Sequence, residues 1–353
     1  MTGARPIEPT RPKVAVIILN WNGVNDTLVC LASMAEVTYD NFSVLVVDNG
    51  SSDGSEQILR EALPDLPLLQ TGANLGYAGG NNAGIRQVLA DAPDYVLLLN
   101  NDTLVAPDFL DALVDAAEAN PAGGYFGPAV LTLEEVPRVI ALGGANWDPD
   151  RCAFRNFGKN RPLPSKAGTA AITVDYPTGC SLLIRRQVLD EIGLMDERYF
   201  LTFEESDWCF RGREAGFLSF AVPGARIQHK VSVSFGGAQS PLMRYFMTRN
   251  VLYWGRRHLA TRQRWRLLWK TLGRMATELW PSRLHAGPVR WRDLRSWWWA
   301  CAGFVEELRC NWKKPSQQAM RLGLIDFLRG HTGDCPSVLR ARSGRDCASP
   351  RKT

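Results

Sequence analysis

The strongest constraint in this chain is a recurrence of short, almost uninterrupted apolar runs, each ending in a polar turn. Lys13-Val-Ala-Val-Ile-Ile-Leu19 leads into Asn20-Trp-Asn-Gly23, Phe42 to Val47 leads into Asp48-Asn-Gly-Ser-Ser-Asp-Gly54, and Tyr95 to Leu99 leads into Asn100-Asn-Asp-Thr103. Runs of this length without polar alternation are strands buried on both faces, the pattern of a parallel sheet. Leu66 to Gln70 reads as a further short strand. Val24 to Ala35, Glu56 to Ala62, Ala78 to Leu89 and Pro107 to Ala119 read as helices between them, the last with proline at its start. Strand and helix alternate through short loops. The expectation is an α/β, doubly wound and mainly parallel central sheet, with its ligand at the carboxyl ends of the strands. The turns at Asn20, Asp48 and Asn100 then converge on one crevice.

Two familiar phosphate sites are disfavoured. No G-x-G-x-x-G follows the first strand, and the glycines of Gly72-Ala-Asn-Leu-Gly-Tyr-Ala-Gly-Gly80 come after the third strand with a different spacing. No Walker A lysine motif is present either. With 353 residues, 45% of them apolar and 22% charged, the chain buries a real core, which excludes a disordered or collagen-like protein. No apolar run approaches the roughly 20 residues that span a bilayer. The first dozen residues hold three prolines and no apolar signal region, so a cytoplasmic start is expected. The eight cysteines are scattered without a C-x-x-C pair and read as reduced thiols, neither a zinc site nor a disulfide frame.

The charge is divided along the chain. Residues 1–240 carry 18 Lys/Arg against 29 Asp/Glu, whereas residues 241–353 carry 23 against 7 and hold nine of the twelve tryptophans. The sequence is therefore read as a flexible N-terminus (1–12), a catalytic domain (13–240), a basic, Trp-rich helical extension (241–331) and a disordered tail (332–353). Within the second half of the catalytic domain, Tyr125 to Tyr176 is irregular, Cys180 to Ile184 is a strand and Gln187 to Ile192 a helix. Leu218 to Val222 and Ala225 to His229 are two further strands.

Four places could carry chemistry. Asp102 follows a buried strand, where it either caps a turn or holds a divalent cation; Mg²⁺ or Mn²⁺ bridging a diphosphate needs only one or two carboxylates. Asp48 either caps its turn or accepts the N3 proton of a pyrimidine. His229, the only histidine in the acidic part, is either a core residue or a second metal ligand. Glu204, Glu205 and Asp207 open a helix that runs to Ala215. They are either a solvated helix start or a cluster whose mutual repulsion raises a pKa, so that one carboxylate serves as general base on an acceptor hydroxyl.

Val14 to Asn22, Val46-Val-Asp-Asn-Gly-Ser-Ser-Asp-Gly54, Asn74-Leu-Gly-Tyr-Ala-Gly-Gly-Asn-Asn-Ala-Gly84, Leu99-Asn-Asn-Asp-Thr103 and Phe203-Glu-Glu-Ser-Asp-Trp-Cys-Phe-Arg211 together resemble the ordered motifs of family 2 glycosyltransferases. The resemblance covers about residues 13–255 and is greatest to bacterial rhamnosyltransferases that use dTDP-L-rhamnose. It implies a GT-A fold, an inverting single displacement, and a Mg²⁺ or Mn²⁺ cofactor held by Asp102 and His229. It further implies donor contacts from Asn20, Asn22, Asp48, Asn74, Gly76, Asn81 and Asn101. Glu205 becomes the catalytic base, and Glu204, Asp207, Trp208, Gly179 and Cys180 the acceptor side. The family's D-x-D is here Asn100-Asn101-Asp102, which leaves the cation more dependent on Asp102 and His229, and the usual Glu-Asp is Glu204-Glu205. A UDP-sugar transferase and a catalytically silent glycan-assembly partner are the competing readings.

In the basic extension, a helical region begins at Tyr245 and continues through Trp265, Leu268, Trp269 and Leu272, with arginines interleaved. It either packs on the catalytic domain or lies on an anionic membrane surface. Trp297-Trp-Trp299 beside Arg292 and Arg295 favours lipid headgroups, where a lipid-linked or polysaccharide acceptor would be met. The expected location is cytoplasmic, peripheral on the inner face of the cell membrane. The same helices could instead serve a homodimer, and no nucleic-acid motif accompanies the positive charge.

Overall fold

The computed structural model describes residues 11–160, 170–230, 240–280 and 294–342, without the side chains of 294–300, 302, 303 and 340–342. It contains two compact units, residues 1–231 and 232–353.

The first unit is built from strands β1 Val14–Asn20, β2 Phe42–Asp48, β3 Leu68–Gln70, β4 Tyr95–Asn100, β5 Thr103–Val105, β6 Gly123–Thr132, β7 Val139–Leu142, β8 Gly144–Asp148, β9 Ala153–Asn156, β10 Ile172–Val174, β11 Tyr176–Pro177, β12 Ser181–Arg185 and β13 Leu218–His229. Its helices are α1 Val24–Met34, α2 Ser55–Ala62, α3 Gly76–Val88, α4 Phe109–Glu118, α5 Arg186–Ile192 and α6 Glu204–Glu214. The main sheet runs β10-β13-β6-β12-β4-β1-β2-β3, with β5 on β13 and β7 on β6. β3, β2, β1 and β4 are parallel, so the order reverses between β1 and β4, the switch point where an open α/β sheet receives its ligand. β12 is antiparallel to both β4 and β6, and β6 is parallel to β13.

The apolar runs are continuous because both sheet faces are covered. Val14, Val16 and Ile18 pack among α1 and α4 residues such as Cys30, Phe109 and Leu113, while Ala15 and Ile17 pack against Ala78 and Ile85 of α3. Polar residues begin where the cover ends, one residue beyond the apolar run. Register then sets Asn20 opposite Asp48 and Asp48 opposite Gln70, so three polar side chains form a row across the carboxyl edge.

Two expectations are corrected here. The irregular segment contains β6, a ten-residue strand buried almost throughout; its Gly-Gly-Tyr-Phe-Gly-Pro start hides the strand pattern from sequence. The two strands expected over 218–229 are one strand, whose register against β6 shifts between Val222 and Arg226, the bulge accommodating Pro223 and Gly224. A separate small sheet, β11-β8-β9, carries the aromatic rings of Trp147, Phe154 and Tyr176.

The second unit is helical: α7 Pro241–His258, α8 Thr261–Leu279, α9 Leu294–Lys313, α10 Pro315–Arg329 and α11 Ser337–Arg342. α7 starts with the Ser240 side chain accepting from Met243 N at 3.2 Å and Pro241 in the first turn. Its buried face packs on α10, where Tyr245 donates to Asp326 Oδ2 at 2.7 Å and the enclosed Arg249 donates to Tyr245 Oη at 3.2 Å. The single helical region expected from Tyr245 onward is broken at Leu259–Ala260. The tail expected to be disordered forms α11 and buries Cys335 and Leu339, while 343–353 lie outside the described residues. Residues 1–10, Arg292 and the side chains of Arg295 and Trp297 to Trp299 also lie outside them. Among the described residues no helix is long and apolar enough to cross a membrane.

Candidate active site

The carboxyl edge of the sheet separates into a hydrogen-bonded half and a half with unsatisfied carboxyl oxygens. In the first, Asp48 is completely buried, and Asn20 Nδ2 donates to its Oδ1 at 2.7 Å. Ser51 Oγ donates to the same oxygen, and Gln70 Nε2 donates to Oδ2 at 2.6 Å. Gln70 Oε1 accepts from Gly50 N and Gly72 N at 3.2 and 3.0 Å, so one amide ties together the two turns after β2 and β3. Gln70 lies over the carboxylate that a donor base would have to reach.

Asn20 and Asn101 correct the expected donor contacts. Asn20 is fully buried, its Oδ1 taken by Thr27 Oγ1 at 2.9 Å and Asn101 Nδ2 at 3.2 Å, so it positions Asp48 from below. Asn101 also donates to Thr27 Oγ1 and Gly23 O at 3.0 and 3.1 Å, which turns it into the first turn of α1. Asn22 shapes the turn, its Oδ1 accepting from Ser52 N at 2.8 Å. Asn74 Oδ1 accepts from Gly76 N at 2.8 Å, and Asn49 Nδ2 donates to Gly76 O at 3.0 Å. Gly76 has φ +74°, and a Cβ there would stand 2.3 Å from Phe200 O, so only glycine lets this loop close on the segment ahead of α6. Asn81 is buried in α3, its Nδ2 on Tyr77 O at 3.0 Å and its Oδ1 without a hydrogen-bond partner.

Asp102 and His229 come together through the β5–β13 pairing, which sets His229 opposite Thr103. Asp102 Oδ1 lies 3.0 Å from His229 Nε2. This pair is the candidate cation site, and among the described residues no group of three or more metal-ligating side chains occurs. One carboxylate and one imidazole fit a cation that keeps its other positions for water and phosphate oxygens.

Glu204 and Glu205 open α6 behind a strained approach: Phe200, Thr202 and Phe203 all have φ between +64° and +72°. Left-handed backbone at non-glycine residues costs about 1 to 3 kcal/mol each and persists where surrounding structure demands it. Glu204 is buried and Glu205 half-buried, and Oε2 of each lacks a hydrogen-bond partner. Burial pushes Glu205 up to about 7. It lifts Glu204 well above the carboxylate range, with the neighbouring charge of Glu205 adding to it. A Cβ on Gly179 would stand 2.8 Å from Glu205 Oε1, so this glycine leaves room for that carboxyl. Tyr77 Oη donates to Gly179 O, joining α3 to the same turn. Burial also raises the Tyr77 phenol well above its usual range and the Cys180 thiol to about 12, and the charges of Asp102 and Glu205 add to both.

Asp207 and Trp208, expected on the acceptor side, are spent in the core instead. Asp207 is fully buried, accepting from Arg211 Nε at 2.9 Å and Tyr199 Oη at 3.2 Å. Trp208 is fully buried with its indole N–H on Gly193 O at 2.9 Å. Both corrections follow from helical geometry: Asp207 and Trp208, three and four residues beyond the buried Glu204, share its face of α6, and that face is turned into the core. Sequence reasoning missed Gln70, Asn49 and Tyr77. Gln70 carried a usable signal, a polar residue ending a strand exactly as Asn20 and Asp48 do.

The comparisons agree with this fold. The glycosyl transferase family 2 model matches residues 15–193. An N-acetylglucosaminyl-diphospho-decaprenol L-rhamnosyltransferase of Mycobacterium tuberculosis is 35% identical over 229 residues, 58% of this chain and 72% of the relative. The dTDP-rhamnosyl transferase RfbF of Shigella flexneri is 24% identical over 232 residues, 62% of this chain and 72% of that one. In fold, the chain is similar to the mannosyltransferase PcManGT from Pyrobaculum calidifontis, solved with GDP-Man and Mn²⁺, at TM-score 0.51 and 17% identity over 90% of this chain and 87% of that one. It is also similar to GalNAc-T7, solved with UDP, GalNAc and Mn²⁺, at TM-score 0.52 and 16% identity over 63% and 44% of the two chains.

Proposed function

Because the chain belongs to glycosyl transferase family 2, with a GT-A fold, we propose that it moves L-rhamnose from dTDP-L-rhamnose to a lipid-linked or polysaccharide acceptor in cell-surface glycan synthesis, with inversion at the anomeric carbon. The observation that carries the chemistry is the raised, unsatisfied Glu205 carboxyl, with the Asp102–His229 pair as the candidate cation site. The relatives named for rhamnosyl transfer support the sugar and the lipid-linked acceptor.

Glu205 takes the proton of the acceptor hydroxyl. A carboxylate whose proton affinity lies near neutrality is matched to that work, being ionised in part yet basic enough to receive a proton. Glu204, held neutral by burial, leaves Glu205 as the ionised member of the adjacent glutamate pair. The acceptor oxygen then attacks from the face opposite the nucleotide, so no covalent enzyme intermediate is needed. Mg²⁺ or Mn²⁺ bound by Asp102 and His229 would supply Lewis-acid stabilisation of the leaving diphosphate. Asp48, with Gln70 displaced, accepts the N3 proton of the thymine ring. Asn74, Gly76 and Asn22 shape the donor loops around it, and Gly179 and Cys180 border the acceptor. The protein works peripherally on the cytoplasmic face of the membrane, where such acceptors are anchored.

Calorimetric titration with dTDP-L-rhamnose and with UDP-sugars, each with and without Mg²⁺ or Mn²⁺, tests this. Cation-dependent binding selective for dTDP-L-rhamnose is expected; selective binding of a UDP-sugar would move the donor, and a chain that binds no donor would be a silent partner in glycan assembly.

A further inference from the structure

We infer that the solvent face of α8 is a docking surface for anionic lipid bilayers. This deepens the membrane association proposed above and is independent of the donor and acceptor. α8 buries Leu267, Thr271 and Met275 against its own unit. On another side it leaves Trp265, Trp269 and Trp280 at its end 58%, 67% and 67% exposed. At 3.6 residues per turn these three directions fall within about 60° of one another and extend about 22 Å along the axis. Tryptophan is seldom left this open on a soluble face, and three in one stripe form an apolar ridge with an N–H on every ring. That combination matches the headgroup boundary of a bilayer, where the ring enters the acyl edge and the N–H meets ester and phosphate oxygens.

The charges flanking the ridge select the lipid. Arg262, Arg264 and Arg266 are exposed and fall within about 100° of Trp265 by helical spacing, whereas Arg274 and the half-buried Lys270 lie toward the opposite side; the helix holds one acidic residue, Glu278, ion-paired with Arg244 at 2.9 Å. Anionic headgroups complement this face. A second copy does not: a two-fold contact would set the same three arginines against each other.

The test uses the full chain and vesicles of phosphatidylcholine with or without phosphatidylglycerol, read by co-sedimentation and by quenching of tryptophan fluorescence with brominated acyl chains. Binding to the anionic vesicles with quenching is expected, and W265A/W269A should weaken binding about tenfold or more while quenching falls. Because both side chains are exposed, the variant should keep its melting temperature and any donor binding. R262E/R264E should weaken binding to anionic vesicles and leave the small binding to neutral ones unchanged. No binding of the parent chain to anionic vesicles, unchanged binding of W265A/W269A, or a shift of W265A/W269A from dimer to monomer in light scattering would each overturn the inference. Failure of donor binding in the calorimetry, with lipid binding intact, would count against the proposed transfer alone.

Discussion

The two halves of the crevice are built on opposite principles. Around Asp48, the polar groups on the row Asn20, Asp48 and Gln70 satisfy one another, and the network reaches Ser51, Thr27 and Asn101. At the start of α6, two carboxyl oxygens have no partner, and the backbone before them is strained. Buried polar groups that are fully paired stabilise and orient; those left unpaired hold a raised proton affinity that catalysis can use. On the proposed reading, the first half is a scaffold that presents a donor loop, and the second is where protons move.

The largest expected effect attacks the unsatisfied half. Glu205→Gln should lower kcat by about 10² to 10⁴-fold while leaving donor affinity and melting temperature close to those of the parent, measured by steady-state kinetics and calorimetry. A loss under tenfold would place the base elsewhere. Asp102→Asn should cost about a hundredfold in kcat/KM and weaken the response to added Mn²⁺. A variant that keeps the full metal response would remove Asp102 from the cation site. The satisfied half should answer in stability instead: Asn20→Ala leaves part of the Asp48 network unpaired and should cost about 2 kcal/mol in urea unfolding with an unchanged pH profile.

The pH dependence sharpens the contrast. Activity should rise with pH to a plateau with a midpoint at about 7, as Glu205 ionises. Stability should move the other way. The folded chain holds the Glu205 proton up to about pH 7, whereas an unfolded glutamate releases it near 4.5. The stabilisation is therefore full below 4.5 and is lost as pH climbs to about 7. Thermal melts from pH 4.5 to 7.5 should show that decline in the parent and a flatter curve in Glu205→Gln. Equal slopes would mean that burial does not raise this carboxyl. The smallest effect is expected at Gln70→Ala, a several-fold change in donor KM with kcat retained; a loss confined to kcat would separate Gln70 from the donor.

Much of this was legible in one dimension. β1, β2 and β4 were visible because a strand covered on both faces has no room for polar residues, and its first polar residue marks the edge of the sheet. Asp102, His229 and Glu205 were legible as candidates through residue type and through motif order. Asp207 and Trp208 were misjudged because a motif shows which residues recur together but not which way each side chain turns. β6 escaped because glycine and proline, read as breakers, here lie within a buried strand.

The amino-acid sequence by itself determined the alternation of strands and helices, the family, the division into an acidic and a basic half, and the candidate base and cation ligands, since each of these rests on residue types at short separations along the chain. Only the tertiary structure decided which polar groups are spent on one another. Asn20 meets Asp48 through strand register, Asp102 meets His229 across 127 positions of chain, and Trp208 is buried while Trp265 and Trp269 are exposed. Such outcomes depend on which surfaces are left over once the core has closed, and hydrogen-bond satisfaction is a property of neighbours in space that no local pattern encodes.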